Sequence, residues 1–178
     1  MLRKFGIIAV LGLLMTALAA VPALATGDPV FNDAAAPTGT HVQTGTPSCS
    51  FAADGLTVVC SSYELAGVGN TNATANLVAS YTATVQCRNH GGQIVDVKSQ
   101  PVSVGSTSGA LEPKNGRLLV PTLSSGTVPT NAQFEALATC PNGNWTKITQ
   151  TSTIALESST YTLTFAGFTG AYITIIDP

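Results

Sequence analysis

The chain has 178 residues, with seven Lys or Arg against nine Asp or Glu and a formal net charge of −2. These charges are sparse and scattered, with no basic stripe, which argues against nucleic acid as a partner. An even count of four cysteines fits two disulfides, and no two of them stand close enough in sequence for a zinc-type ligand pair.

Arg3 and Lys4 form a short basic head, Gly6 to Ala20 an uncharged, largely apolar core, and Ala23-Leu24-Ala25 a small-residue cleavage site. That order is a secretion signal, so residues 1–25 are expected to be removed and the remainder secreted. The competing reading is a membrane anchor, because the apolar run nearly reaches bilayer length. The Ala-x-Ala site at the expected distance favours cleavage, and no cysteine stands at the junction to carry a lipid. The protein is therefore expected to be extracellular, with no membrane attachment after cleavage. Removing Arg3 and Lys4 from the seven basic residues leaves five against nine acidic ones. An exported chain keeps its cysteines oxidised, and four cysteines allow three connectivities.

Residues 26–46 are rich in Thr, Gly, Pro and Ala, with few large apolar side chains beyond Val30, Phe31 and Val42. They read as a flexible N-terminal segment with room for an edge strand near its end. Residues 47–178 read as a single domain, long enough to build its own core. Within it, Asp54-Gly55 is a hairpin signal, since a type I′ turn needs positive φ at both central positions. Folding there sets Phe51 opposite Val58 and Cys49 opposite Cys60, within disulfide reach. Cys49 is thus expected to pair with Cys60 and, by elimination, Cys87 with Cys140. A two-residue turn would put Cys49 and Cys60 at a hydrogen-bonded, wider-spaced position.

Glu64 to Asn70 carries the second strand into a glycine-rich turn. The longest alternating run follows, with Leu77, Ala79, Tyr81, Ala83, Val85 and Cys87 on one parity and mostly polar residues on the other. It reads as one strand ending at the turn-rich corner Cys87 to Gly92. Further strands are expected around Ile94 to Lys98, Pro101 to Gly105, and Gly116 to Leu123, where Pro121 suits an edge. Ala132 to Thr139 is open between helix, by propensity, and strand, by the parity of Phe134, Ala136, Ala138 and Cys140. Three closing strands are expected, Trp145 to Leu156, Tyr161 to Phe165 and Ala171 to Ile176, turning at Ser158-Ser159 and Gly167 to Gly170. Eight or nine strands with regular turn signals and no long helix make an all-β, immunoglobulin-like β-sandwich the expected fold.

Catalytic groupings do not emerge. His90-Gly91-Gly92 resembles an esterase oxyanion loop, and Gly105 to Gly109 resembles a nucleophile elbow, but its centre is Thr107 rather than serine. Glycine turns account for both stretches. A triad would have to recruit His90, an exposed serine and Asp96, and no spacing favours it. His41 is the other histidine. Glu64, Asp96, Glu112, Glu135 and Glu157 lie singly and read as solvated surface charge, which supports neither paired-carboxylate hydrolysis nor a calcium loop. No cofactor and no metal are expected. Trp145 reads as an aromatic packed over the Cys87–Cys140 bridge, with a stacking platform for a sugar as its functional alternative. Arg88, His90 and Trp145 together form the candidate binding surface.

Three motifs stand together: Glu64-Leu65-Ala66-Gly67-Val68-Gly69-Asn70; Thr84-Val85-Gln86-Cys87-x-Asn89 with Gly91-Gly92; and Cys140-Pro141-Asn142-x-x-Trp145. Over about Tyr63 to Ile154 they resemble a group of small secreted actinobacterial proteins. That resemblance implies a secreted β-sandwich and supplies no catalytic residue. The chain also shares general features with the enediyne-carrier apoproteins, which are secreted immunoglobulin-like sandwiches with two disulfides, although the cysteine spacings differ. The leading expectation is a non-enzymatic module that binds a cell-surface glycan or protein. The alternatives are a carrier of a small apolar ligand between the sheets, or an inhibitor of a secreted hydrolase.

Overall fold

Period-two alternation governs most of the chain, and the backbone follows it into short antiparallel strands. The structure, a computed structural model, describes residues 27–177. The expected signal segment lies outside the described residues. In chain order the strands begin with β1 (Val30–Phe31), β2 (His41–Thr44), β3 (Cys49–Phe51), β4 (Val58–Cys60) and β5 (Tyr63–Ala66). Next come β6 (Ala73–Thr82), β7 (Thr84–Arg88), β8 (Ile94–Lys98), β9 (Val102–Thr107), β10 (Arg117–Val120) and β11 (Leu123–Ser124). A helix, α1 (Asn131–Leu137), precedes β12 (Thr146–Thr149), β13 (Ala155–Phe165) and β14 (Ile173–Asp177).

The largest sheet has the order β1-β14-β13-β6-β9. Three smaller sheets run β10-β5-β2, β11-β4-β3 and β12-β7-β8. The chain is thus mostly β, in several antiparallel sheets stapled by two disulfides. More strands appear than the eight or nine expected, because long alternating runs divide where they change sheet or meet a proline. The run from Leu77 to Cys87 divides at Ala83, with β6 in the five-stranded sheet and β7 in a smaller one. Pro121 separates β10 from β11. Ser158-Ser159, expected as a turn, instead lies inside β13 at a β-bulge, where the register against β6 shifts between Leu156 and Ser158.

The segment read as a flexible arm, residues 26–46, is paired at two places among its described residues. β1 adds to β14, and β2 is the edge strand expected near the segment's end, set against β5. Gly67 holds that junction. Its φ is +76°, and a side chain there would overlap the Gly39 carbonyl.

The hairpin carries a correction of detail. Phe51 faces Val58 and Cys49 faces Cys60, as the sequence predicts, and the Cys49–Cys60 bridge forms. The turn, however, is a four-residue loop closed by Ala52 N–H donating to Thr57 O at 2.8 Å. Of Asp54 and Gly55, only Gly55 has positive φ. The Asp54 carboxylate accepts from Leu56 N–H (2.9 Å), Thr57 N–H (2.8 Å) and Thr57 Oγ1 (2.6 Å), which stabilises this longer loop. Closing one pair earlier reverses the alternation of hydrogen-bonded pairs. Cys49 and Cys60 therefore occupy the narrow position, with Cα atoms 3.9 Å apart.

Ala132 to Thr139 resolves mostly as helix. Pro129 and Thr130 open α1, and Gln133 Oε1 accepts from Thr130 N–H at 2.8 Å, half of a capping box. Phe134 is its buried anchor.

One face of the five-stranded sheet forms the core, with Ala75, Leu77, Ala79, Tyr81, Tyr161, Leu163, Ile173 and Ile175 buried on it. The β5 and β4 sheets cover that face. Tyr63 and Tyr161 share a hydroxyl hydrogen bond of 2.8 Å across the layers, and Tyr81 donates to Leu56 O at 2.9 Å. Each buried phenol thus keeps a polar partner. Burial raises the Tyr63 and Tyr161 hydroxyls above their ordinary 10.0, because the ionised form would lose its water. The unfolded chain ionises near the ordinary value while the folded chain does not. The stability tied to these groups is therefore complete below pH 10 and declines as pH rises past it. In an alkaline titration, the last tyrosinate absorbance should rise together with loss of the folded near-ultraviolet circular dichroism. Complete ionisation with that signal intact would contradict the burial of the pair.

Candidate functional site

The three residues singled out from sequence gather at one end of the β12-β7-β8 sheet. β7 ends at Arg88, which stands opposite Thr146 of β12 and Ile94 of β8. Trp145 immediately precedes β12, and His90 lies on the turn that joins β7 to β8. That turn is built from side-chain substitution for main chain. Asn89 Oδ1 accepts Gln93 N–H at 2.8 Å, Asn89 N–H donates to Gln93 O at 3.0 Å, and Gly92 takes φ +81°. The facing loop is tied to β7 by the Cys87–Cys140 bridge, with Cα atoms 5.7 Å apart. All four cysteines are therefore paired, the state expected of an oxidising compartment.

Arg88 and His90 are exposed, and Trp145 is half-buried and outside the buried core. Arg88 alternates away from Cys87, so the guanidinium and the disulfide leave β7 on opposite faces. The corner offers a guanidinium fork for hydrogen bonding and part of an indole face for stacking. Among the described residues, no group of three or more His, Cys, Asp or Glu is placed to hold a metal ion. Gly105 to Thr107 lies within β9, so the elbow-like run is strand followed by turn. No helix of the described residues is long and apolar enough to cross a membrane.

Glu135 departs from its reading as solvated surface charge. Its carboxylate accepts Thr149 N–H at 3.0 Å, and its main-chain oxygen accepts from Lys147 Nζ at 2.8 Å. It fixes α1 against β12 and so positions the loop that leads to Cys140 and Trp145.

The surface that sequence reasoning missed is the outer face of the five-stranded sheet. One row across it reads Val30, Thr174, Thr162, Asn76, Thr107; the next reads Ile176, Thr160, Val78, Gly105. A third pairs Ser158 with Ser80 and Ser103, the last two sharing a 2.8 Å hydroxyl hydrogen bond. Among the described residues, these rows carry hydroxyls, one carboxamide (Asn76), a glycine and three aliphatic side chains, and no ionised group. The nearest charge on β13 is Glu157 at the bulge, paired with Lys98 at 3.0 Å. The signal was legible as the Thr160-x-Thr162-x-Thr164 alternation, but the neighbouring rows need the strand register. Between the layers, where a carrier would hold its ligand, Tyr63, Tyr81 and Tyr161 occupy the interior. A groove lies instead at the rim, where Phe51, Leu56, Ile154 and Leu156 meet the carboxylates of Glu157 and Asp177.

Glu135→Ala should cost about 1–3 kcal/mol, because the buried Thr149 amide would lose its acceptor. Denaturant unfolding would measure this, and a change near zero would mean that the Glu135 carboxylate does not help hold α1 against β12. Comparison of the chain with family models, with curated proteins and with solved structures finds no match.

Proposed function

We propose that this is a secreted, non-enzymatic binding module, an immunoglobulin-like β-sandwich that engages a neutral, hydroxyl-bearing partner such as a cell-surface glycan. The observation that carries the reading is the outer face of the five-stranded sheet, a broad surface without ionised groups on a chain whose charges lie elsewhere. Threonine suits such a partner twice over. Its hydroxyl exchanges hydrogen bonds with sugar hydroxyls, and its methyl packs against the carbon-bound faces of a ring. A phosphate-rich or acidic partner would gain nothing from a face with no cation on it. The Arg88, His90 and Trp145 corner is the second candidate surface, favoured by the half-exposed indole. Secretion is supported by the leader read from residues 1–25 and by the pairing of all four cysteines.

The test is sedimentation with insoluble cell walls and neutral polysaccharides, reading the bound fraction against protein concentration. Thr162→Lys, at the centre of the uncharged face, should weaken binding by about ten-fold or more, since the new charge would be desolvated without a partner. Trp145→Ala should leave binding nearly unchanged. The reverse pattern would move the site to the corner, and no saturable binding by the wild-type chain would remove the proposal.

A further inference from the structure

The outer edge of β8 carries a second kind of information, because its sequence complements itself. Asn89 N–H donates to Gln93 O and Ser99 N–H to Ala83 O, at 3.0 and 2.9 Å, closing the β7–β8 ladder at both ends. These bonds set the alternation, so Val95 and Val97 turn their main-chain groups toward β7. The main-chain groups of Ile94, Asp96 and Lys98 then point away from the sheet. Gln100, the next residue of that parity, does turn outward, donating to Leu137 O of α1 at 3.4 Å.

Two other edges of this bent pair of sheets make contacts of their own. α1 holds β12 through Lys147 and Thr149, and the Ser106 hydroxyl of β9 donates to Ser124 O. On β8 two of the three aliphatic side chains are left in solvent, with Ile94 49% and Val95 37% exposed, while Val97 packs against the core. An edge of this kind, open from Ile94 to Lys98 and ending where Gln100 meets α1, is a template for another strand.

We infer that β8 joins two copies of this chain by antiparallel strand addition, with a two-fold axis through Val97. Charge selects both the partner and the register. Pairing must set outward-pointing residues opposite one another. Asp96 against Asp96, or Lys98 against Lys98, would juxtapose like charges and is disfavoured. An axis at Val95 would leave Asp96 opposite Ile94 and Lys98 opposite Gly92, with neither charge matched. With the axis at Val97, Asp96 of each copy faces Lys98 of the other, and each such pair exchanges both main-chain hydrogen bonds. Lys98 already lies along the sheet's outer face beside this edge, 66% exposed and held there by Glu157.

Sedimentation velocity over a range of concentrations tests this on the purified protein. The wild-type chain should show a concentration-dependent monomer–dimer equilibrium that weakens with added salt. Asp96→Lys alone and Lys98→Asp alone should each weaken the dimer by about ten-fold or more. Mixed in equal amounts, the two variants should associate again, because every facing pair then carries opposite charges. Asp96→Pro removes an outward N–H together with the carboxylate, leaves the β7–β8 ladder intact, and should abolish the dimer while circular dichroism stays folded. A monomer at every concentration, a dimer indifferent to both reversals, or a mixture that stays monomeric would overturn the inference.

Discussion

A single bend shared by three adjacent strands is the constraint on which the rest of the structure depends. β12 runs into β13, β6 into β7 and β8 into β9, and each pair passes between the three-stranded and five-stranded sheets at the same level. Main-chain groups at such a bend lose their ladder partners and must find others. Ala83 N–H donates to Ser99 Oγ at 3.1 Å, and Ser99 N–H returns to Ala83 O. Thr84 N–H donates to Thr153 Oγ1 at 2.8 Å, and Gln150 N–H to Thr84 O at 2.9 Å. Two short hydroxyl side chains thus supply acceptors that a continuous sheet would have provided. The bend also preserves side-chain parity. Tyr81, Ala83 and Val85 are all buried, so one apolar stripe passes from Leu77 to Cys87 without changing sides.

The two disulfides work on different parts of this frame. Cys49–Cys60 closes a local hairpin, and Cys87–Cys140 draws a distant loop onto the far end of the stripe. On the chain-entropy model they contribute roughly 3 and 4 kcal/mol, the longer loop more, by restricting the unfolded chain. Between them the tyrosines join the layers, each phenol buried with a hydrogen-bond partner. The consequence is a scaffold whose inner face is filled by large side chains and whose outer face is free to present hydroxyls.

Much of this was legible in the sequence wherever burial was one-sided. The alternation from Leu77 to Cys87 and from Tyr161 to Phe165 survives in the structure, because a one-residue slip would turn every core side chain to solvent. The Cys49–Cys60 pairing survived a wrong turn type for a related reason: two-residue and four-residue loops give the same facing residues. What escaped depends on partners remote in the chain. The division at Ala83 requires Ser99 and Thr153, and the bulge at Ser158 requires the register of β6. Glu135 looks like any surface carboxylate until Thr149 is brought beside it. The uncharged face was half visible as alternating threonines on β13, but β6, β9 and β14 complete it. The Cys87–Cys140 pairing was legible by elimination and brings the Trp145 loop to the Arg88 end of β7, whereas the half-exposure of Trp145 follows from loop geometry that composition does not encode.

A rigid, bent frame explains how a chain with so few charges can hold an ordered surface of small polar groups. The measurement that bears most directly on it is native-state hydrogen exchange along β6 and β7. If the bend is part of one cooperative unit, amides from Ala75 through Val85, including Ala83, should exchange in a single slow class set by global unfolding. If β7 through Arg88 instead opens in a separate, faster class than β6, the two sheets are independent units and the shared bend does not hold the fold together.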